Sequence, residues 1–218
     1  RELQEETGLA TDRLARIVGE EAAHASPDIV RLLADDEPAW IIDPLDGTHN
    51  FAEGHDGFGV MVAYAVAGQV RAAWVHLPVR NESFVAVLGE GATLNGAPLR
   101  VDPAPHDGGL RGTFFVRFMP EETRTRLLSH VDGRFIQAPT AGAAAVEYTD
   151  VLRGKKDFVA YYRLLPWDHG APALILTEAG GRVEHLDGQP YTVRSHNQLT
   201  LVTRAPRMAA DIRSWIHP

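Results

Sequence analysis

The stretch Trp40-Ile41-Ile42-Asp43-Pro44-Leu45-Asp46-Gly47-Thr48-His49-Asn50-Phe51 limits what this chain can build more than any other. An apolar run with the character of a buried strand ends in two aspartates separated by Pro-Leu. A Gly-Thr pair follows, where the chain can turn into a helix. Two carboxylates this close suit a hard, oxygen-seeking cation such as Mg²⁺, which binds a few carboxylates together with water and substrate phosphate. The N–H groups of Gly47 and Thr48, if they open a helix, offer an anion site beside that cation. The combination points to phosphoryl chemistry. The same letters also fit a plain turn, in which Asp accepts backbone N–H bonds and Gly supplies positive φ.

Two further segments carry acidic residues in suggestive places. Gly19-Glu20-Glu21 lies upstream, and Pro166-Trp167-Asp168-His169-Gly170-Ala171 lies far downstream, ahead of an Ala/Leu-rich run ending in Glu178-Ala179-Gly180-Gly181. Taken alone, Glu20 and Glu21 fit solvated charges, and Asp168 fits the N-cap of a helix. Capping and metal binding are compatible, because a carboxylate has two oxygens and several lone pairs.

Composition narrows the classes. With 218 residues and 44% hydrophobic content the chain can bury a real core. The net charge is 21 − 29 = −8 with no long basic run, so a nucleic-acid polymer is not the expected partner. There are no cysteines, hence no disulfides and no thiolate metal site. No apolar run reaches the ~18–20 residues of a membrane span. The polar start Arg1-Glu2-Leu3-Gln4-Glu5-Glu6 is no signal peptide. The expected location is the cytoplasm. The ten histidines show no metal-ligand spacing, so no zinc site is expected.

Residues 1–17 read as a charged helical segment entering a short strand at Ile17-Val18. Ser26-Pro27-Asp28 starts a helix running to about Ala34, and Gly47–Ala52 reads as another short one. Gly57–Ala67, Gln69–Leu77 and Ser83–Leu88 form an antiparallel meander, followed by an Asn95-Gly96 hairpin signal. Residues 102–112, rich in Pro, Asp and Gly, are the candidate linker. Beyond them strands and helices alternate: strand Thr113–Phe118, helix Pro120–His130, strand Phe135–Gln137, helix Ala141–Leu152, strand Asp157–Tyr162, helix Asp168–Ala179, strand Asn197–Thr203 and helix Pro206–Ile216. The division expected is an α+β metal- and phosphate-binding segment over 1–103 and an α/β segment over 104–218 that contributes Asp168 and the substrate pocket.

Gly-Glu-Glu, Asp-Pro-Leu-Asp-Gly-Thr-x-Asn-Phe and Trp-Asp with a trailing Glu-Ala-Gly-Gly occur here in the order in which the inositol monophosphatase family carries them. The chain resembles that family over nearly its whole length. The resemblance implies a layered α/β/α/β/α sandwich of the sugar-phosphatase type, with α+β and α/β parts. It implies a lithium-sensitive, Mg²⁺-dependent phosphomonoesterase acting on inositol phosphate or a related sugar or polyol phosphate, often as a homodimer, with two or three Mg²⁺ per site. Glu20, Asp43 and the carbonyl of Leu45 would hold one Mg²⁺; Asp43, Asp46 and Asp168 would hold a second; Glu21 lies near a further, weaker one. Glu20 and Thr48 are marked as catalytic, Thr48 by hydrogen-bonding the nucleophilic water. Gly47, Thr48, Gly142, Ala143, Ala144, Arg163 and Asp168 would line the substrate. A tightly packed alanine helix fits Thr140–Ala145 equally well.

The chain departs from the family in three places. Its eighteen residues before Gly19 hold no clear equivalent of the family's upstream Thr and Asp, Thr11-Asp12 lying too close. His49 replaces a small polar residue at the site's edge. The acid that grips sugar hydroxyls before Trp-Asp is missing from Tyr161–Pro166, where Arg163 stands instead. Arg163 favours a substrate with an extra anionic group, such as fructose 1,6-bisphosphate or adenosine 3′,5′-bisphosphate. A catalytically weak regulatory protein that binds metal and phosphate is the third expectation.

Overall fold

The computed structural model describes residues 16–216. Strand β1 (Arg16–Gly19) leads through helix α1 (Glu20–Ala25) and a 3-10 segment (Pro27–Leu33) to β2 (Ala39–Asp46), which runs parallel to β1. Helix α2 (Thr48–Ala52) follows, then β3 (Gly59–Val66), β4 (Gln69–Leu77), β5 (Glu82–Val87), β6 (Gly91–Leu94) and β7 (Ala97–Leu99). The last five pair antiparallel in chain order and complete a seven-stranded sheet. Asn95 and Gly96 join β6 to β7 with φ of 49° and 80°, the positive pair that an Asn-Gly hairpin requires.

Period-two alternation gives this sheet two unlike faces. Ile41, Met61, Ala63, Ala73, Val75 and Phe84 point inward and are buried. Trp40, Tyr64 and Trp74 stand on the other face, with ring centroids 5.0 Å apart for Trp40–Tyr64 and 6.0 Å for Trp40–Trp74.

Past the irregular stretch after Leu99 come β8 (Arg111–Phe115), α3 (Glu121–Val131), β9 (Ile136–Gln137), α4 (Ala144–Leu152), β10 (Phe158–Tyr161), α5 (Pro166–Glu178), β11 (Arg182–His185), β12 (Thr200–Thr203) and α6 (Pro206–Ile216). Their strands form a five-stranded sheet in the order β11-β12-β10-β8-β9. Alternation along β10 divides the packing: Val159 joins a core with α4, α5 and the first sheet, through Tyr148, Leu174, Ile175, Ile41 and Phe84. Phe158 and Ala160 join a second core with α3 and α6, through Leu127, Met208 and Ile212. The result is the layered α+β sandwich expected, and the larger core draws side chains from both sides of residue 103. Among the described residues no helix is long and apolar enough to cross a membrane.

Several boundaries differ from expectation. Helix α5 starts at Pro166, so Asp168 is its third residue and not its cap; the fixed φ of proline suits the first helical position. Helix α4 starts at Ala144, three residues late, because Gly142 adopts φ of +76° and Ala143 is extended. Strand β8 stops at Phe115, before Phe118. Strand β12 starts at Thr200, since the Asn197 side chain is engaged with the N–H of Leu164 at 2.9 Å. Strand β11 was not expected at all: its buried Glu184 and His185 are polar and blur the alternation. The helix anticipated before Ile17 lies outside the described residues.

Candidate active site

Residues three apart on a regular strand face opposite sides, yet Asp43 and Asp46 are both buried, at 1% and 8% exposure. A bulge reconciles the two. Asp43 pairs with Met61 and Asp46 with Gly59, so three steps on β2 face two on β3. Pro44 sits inside the bulge, where no ladder N–H is needed. Glu20 arrives beside them because Gly19 lies opposite Ile42 on the parallel neighbour. A Cβ on Gly19 would stand 2.8 Å from the Ile42 carbonyl oxygen, so only glycine lets the strands approach this closely.

Asp46 also reaches the second half of the chain. Its Oδ1 accepts the N–H of Ala144 at 3.2 Å and its Oδ2 the N–H of Ala145 at 2.6 Å, at the start of α4. Gly47 turns away with φ of +83°, where a Cβ would lie 2.8 Å from that of Ala143. Asp43 Oδ1 accepts the N–H of Leu45 at 3.0 Å, and the Thr48 hydroxyl donates to the Leu45 carbonyl at 3.1 Å. Glu21 and Thr48 are exposed.

The electrostatics join the remaining acid to this group. Burial, then the charges of Asp46 and Glu20, push the Asp43 carboxyl up to about 7. Burial raises Asp46 to about 6, against the pull of the Ala145 and Ala144 amides. Asp168 is driven well above the usual carboxylate range by burial and by Asp46, Asp43 and Glu20. Glu20, Asp43, Asp46 and Asp168 therefore form one cluster. Among the described residues none of them is in an ion pair. Like charges crowded this closely, two of them buried and two half-buried, call for a cation, and an all-oxygen donor set suits a hard one such as Mg²⁺. As placed, no three acidic or histidine side chains among the described residues are closed around one point. Asp46 spends both oxygens on α4, and Asp43 turns one back to Leu45.

Four residues given no role in the sequence reading hold the surroundings. Asn50 donates its amide to the carbonyls of Gly57 at 2.6 Å and Ala141 at 2.8 Å, clipping α2 to the turn before α4. Buried Glu147 takes the N–H of Ala141 and pairs with buried Lys156. His169, which burial lowers to about 4, stays neutral. Its Nε2 faces the Arg163 carbonyl at 3.1 Å and must carry the hydrogen, so Nδ1 accepts the Tyr148 hydroxyl at 3.1 Å. The sequence signal for Asn50 was its place in the Gly-Thr-x-Asn run; the others carried none. Beside Asp168 opens a cavity of about 360 Å³ lined by Phe115, Arg117, Phe118, Tyr161, Arg163, Asp168 and His169.

A layered α+β sandwich with an acidic cluster at the end of β2 is the sugar-phosphatase type of fold. The chain belongs to the inositol monophosphatase family, whose model matches residues 7–214. It is 35% identical over 191 residues to the Nus factor SuhB of Pasteurella multocida, covering 84% of this chain and 69% of that protein. It is 33% identical over 161 residues to a fructose-1,6-bisphosphatase/inositol-1-monophosphatase of Thermotoga maritima, covering 72% of this chain and 60% of that one. The solved structure of a Thermotoga maritima IMPase superposes with a TM-score of 0.74 at 26% identity, over 99% of this chain and 77% of that one. The chain thus spans only about three fifths of the length of the Thermotoga bisphosphatase relative.

Proposed function

We propose that this chain is the core of a Mg²⁺-dependent phosphomonoesterase that hydrolyses an inositol, sugar or polyol phosphate. The observation that carries the reading is the convergence of Glu20, Asp43, Asp46 and Asp168, from three separate parts of the chain, with no ion pair to any of them among the described residues and only the charge of Arg163 acting on Asp168. Glu20, Asp43 and the Leu45 carbonyl would hold one Mg²⁺, and Asp43, Asp46 and Asp168 would hold a second. Bound Mg²⁺ supplies Lewis-acid charge for the attacking water and the leaving oxygen. The Thr48 hydroxyl directs its hydrogen to the Leu45 carbonyl. Its oxygen is then free to accept a hydrogen bond from the attacking water and aim that water at phosphorus. The N–H groups of Gly47 and Thr48 hold phosphate oxygens, and Gly142, Ala143 and Ala144 let the substrate approach backbone closely. Water adds in line as the ester P–O bond breaks; one of its protons stays on the phosphate formed and the other ends on the departing alcohol.

Arg163 supports a second reading, a doubly phosphorylated substrate, and the name of the Thermotoga relative includes such an activity. Other relatives are named Nus factors, which supports a role through a protein partner. A phosphate-release screen with Mg²⁺ over inositol, sugar and nucleotide phosphates tests the proposal. Release from at least one class is expected. No release from any class, by a protein that still binds Mg²⁺, would overturn it in favour of the binding role.

A further inference from the structure

Three stretches of backbone meet at Gly47, and one polar side chain ties two of them together. A Cβ on Gly47 would lie 2.7 Å from the Gly57 carbonyl oxygen, 2.8 Å from the Ala143 Cβ and 3.3 Å from the Phe58 Cα. The carboxamide of Asn50, in α2, spans the outer two. Its Nδ2 donates to the Gly57 carbonyl at 2.6 Å and to the Ala141 carbonyl at 2.8 Å, the second across 91 positions of sequence. Both partners can only accept, so the nitrogen must face them, and its two hydrogens are both spent. The space is cut to this group. A Cβ on Gly57 would stand 2.9 Å from Nδ2, and one on Gly142, where φ is +76°, 3.1 Å from Nδ2 and from Oδ1.

The turn that Asn50 grips leads straight to the acidic cluster. Ala141 is held on both sides, its carbonyl by Asn50 and its N–H by buried Glu147, which pairs with buried Lys156. Just beyond it, the N–H groups of Ala144 and Ala145 close on the two oxygens of Asp46 at 3.2 and 2.6 Å. A carboxylate oxygen has lone pairs enough for an amide and a cation together. These bonds therefore fix the plane of the Asp46 carboxylate without using it up. Helix α2 has other anchors. The His55 N–H donates to the Asn50 carbonyl at 2.8 Å, and the Phe51 ring meets Phe58 edge-on at 5.0 Å. Loss of the carboxamide would release the turn and leave α2 where it is.

We propose that Asn50 is a positioning residue for the cation site: its two N–H bonds hold the Ala141–Ala143 turn so that the first amides of α4 orient Asp46 toward the metal. Cation and turn are then coupled, and each orders the other. For the presence of a metal the inference rests on the phosphatase reading, and its test needs no substrate.

Mg²⁺ is titrated calorimetrically into the metal-free wild type, Asn50→Asp and Asn50→Ala at about pH 8. Amide exchange at Ala144 and Ala145 is followed with and without Mg²⁺. In the wild type Mg²⁺ should slow exchange at both amides. Both variants should bind Mg²⁺ about tenfold more weakly, the lower end of what groups behind a metal ligand cost. They should also exchange faster at those two amides, while β3, β4 and β5 exchange as in the wild type. Asn50→Asp sets an oxygen against two carbonyl oxygens unless the new carboxyl takes a proton and donates to one of them. Its deficit in Mg²⁺ affinity relative to wild type should shrink as pH falls from about 8 to 6, and that of Asn50→Ala should not. A lowered thermal midpoint with Mg²⁺ affinity within about twofold of wild type in both variants would make Asn50 merely structural and overturn the proposal. If neither variant folds, the wild type decides, and exchange at Ala144 and Ala145 that Mg²⁺ leaves unchanged overturns it. Mg²⁺ binding with no phosphate release would remove the phosphatase reading and leave the positioning role standing. No Mg²⁺ binding by the wild type would remove the metal assignment, and with it the proposed role of Asn50.

Discussion

Asp46 Oδ2 accepts the backbone N–H of Ala145 at 2.6 Å, across 99 positions of sequence. The residue proposed as a metal ligand is thus also the anchor for the start of α4. On the sequence alone, Asp46→Asn removes a charge and nearly preserves shape. With Ala144 and Ala145 both donating to it, an amide must turn its NH₂ toward one of them and lose that bond. The variant should fold with stability reduced by about 1–3 kcal/mol, and turnover should fall roughly a hundredfold or more. Urea unfolding and steady-state kinetics separate the two effects. Near-normal turnover would remove Asp46 from the metal site.

Excess chelator should abolish phosphate release, added Mg²⁺ should restore it, and lithium should inhibit. Full activity in chelator would sink metal-assisted hydrolysis.

The acidic cluster also fixes the sign of a pH effect. Burial pushes Asp43 and Asp46 up to about 7 and about 6 in the fold, from an ordinary value of 3.8, so the native state retains protons that the unfolded chain has already released. Their contribution to stability is fully present below about 3.8 and is lost as pH rises through about 6 and 7. The metal-free protein should therefore show a thermal midpoint that declines between about pH 4 and 7 on account of these groups. Mg²⁺ should flatten the decline, because it favours the ionised carboxylates. An identical decline with and without Mg²⁺ would mean that the ion binds elsewhere.

Lys156→Met tests the support of the turn before α4. Lys156 and Glu147 are 3% and 2% exposed as side chains, and Glu147 also holds the N–H of Ala141. Removing the lysine strands a buried carboxylate, which costs about 3–5 kcal/mol. A denaturation midpoint within error of wild type would show that Glu147 is protonated or hydrated and that the pair is dispensable.

Much of this was legible in the letters, and what was not has a physical reason. The Trp40–Phe51 run, the meander and the last helix could be read because apolar period and turn residues agree there. Strand β11 could not, because its inward Glu184 is satisfied by Arg182 and Arg213, a contact made only after folding. The bulge that turns Asp43 and Asp46 to one side was hidden for the same reason, since it is defined by pairing with Met61 and Gly59. Arg163 stood out as a charge where an acid was expected. Arg117 did not, because nothing in the sequence says that β8 ends at Phe115 and releases the next residues toward the cavity.

The stacked rings of Phe115, Tyr161 and Tyr148 run inward from that cavity at centroid spacings of 5.1 and 5.9 Å. A floor built this way is stiff, for its rings belong to β8, β10 and α4 and cannot shift without disturbing the main core. Arg117, Phe118 and Arg163 stand just beyond the ends of β8 and β10, where exchange of a side chain disturbs little. A change at the rim can therefore reshape the mouth of the cavity and leave the core packing as it was.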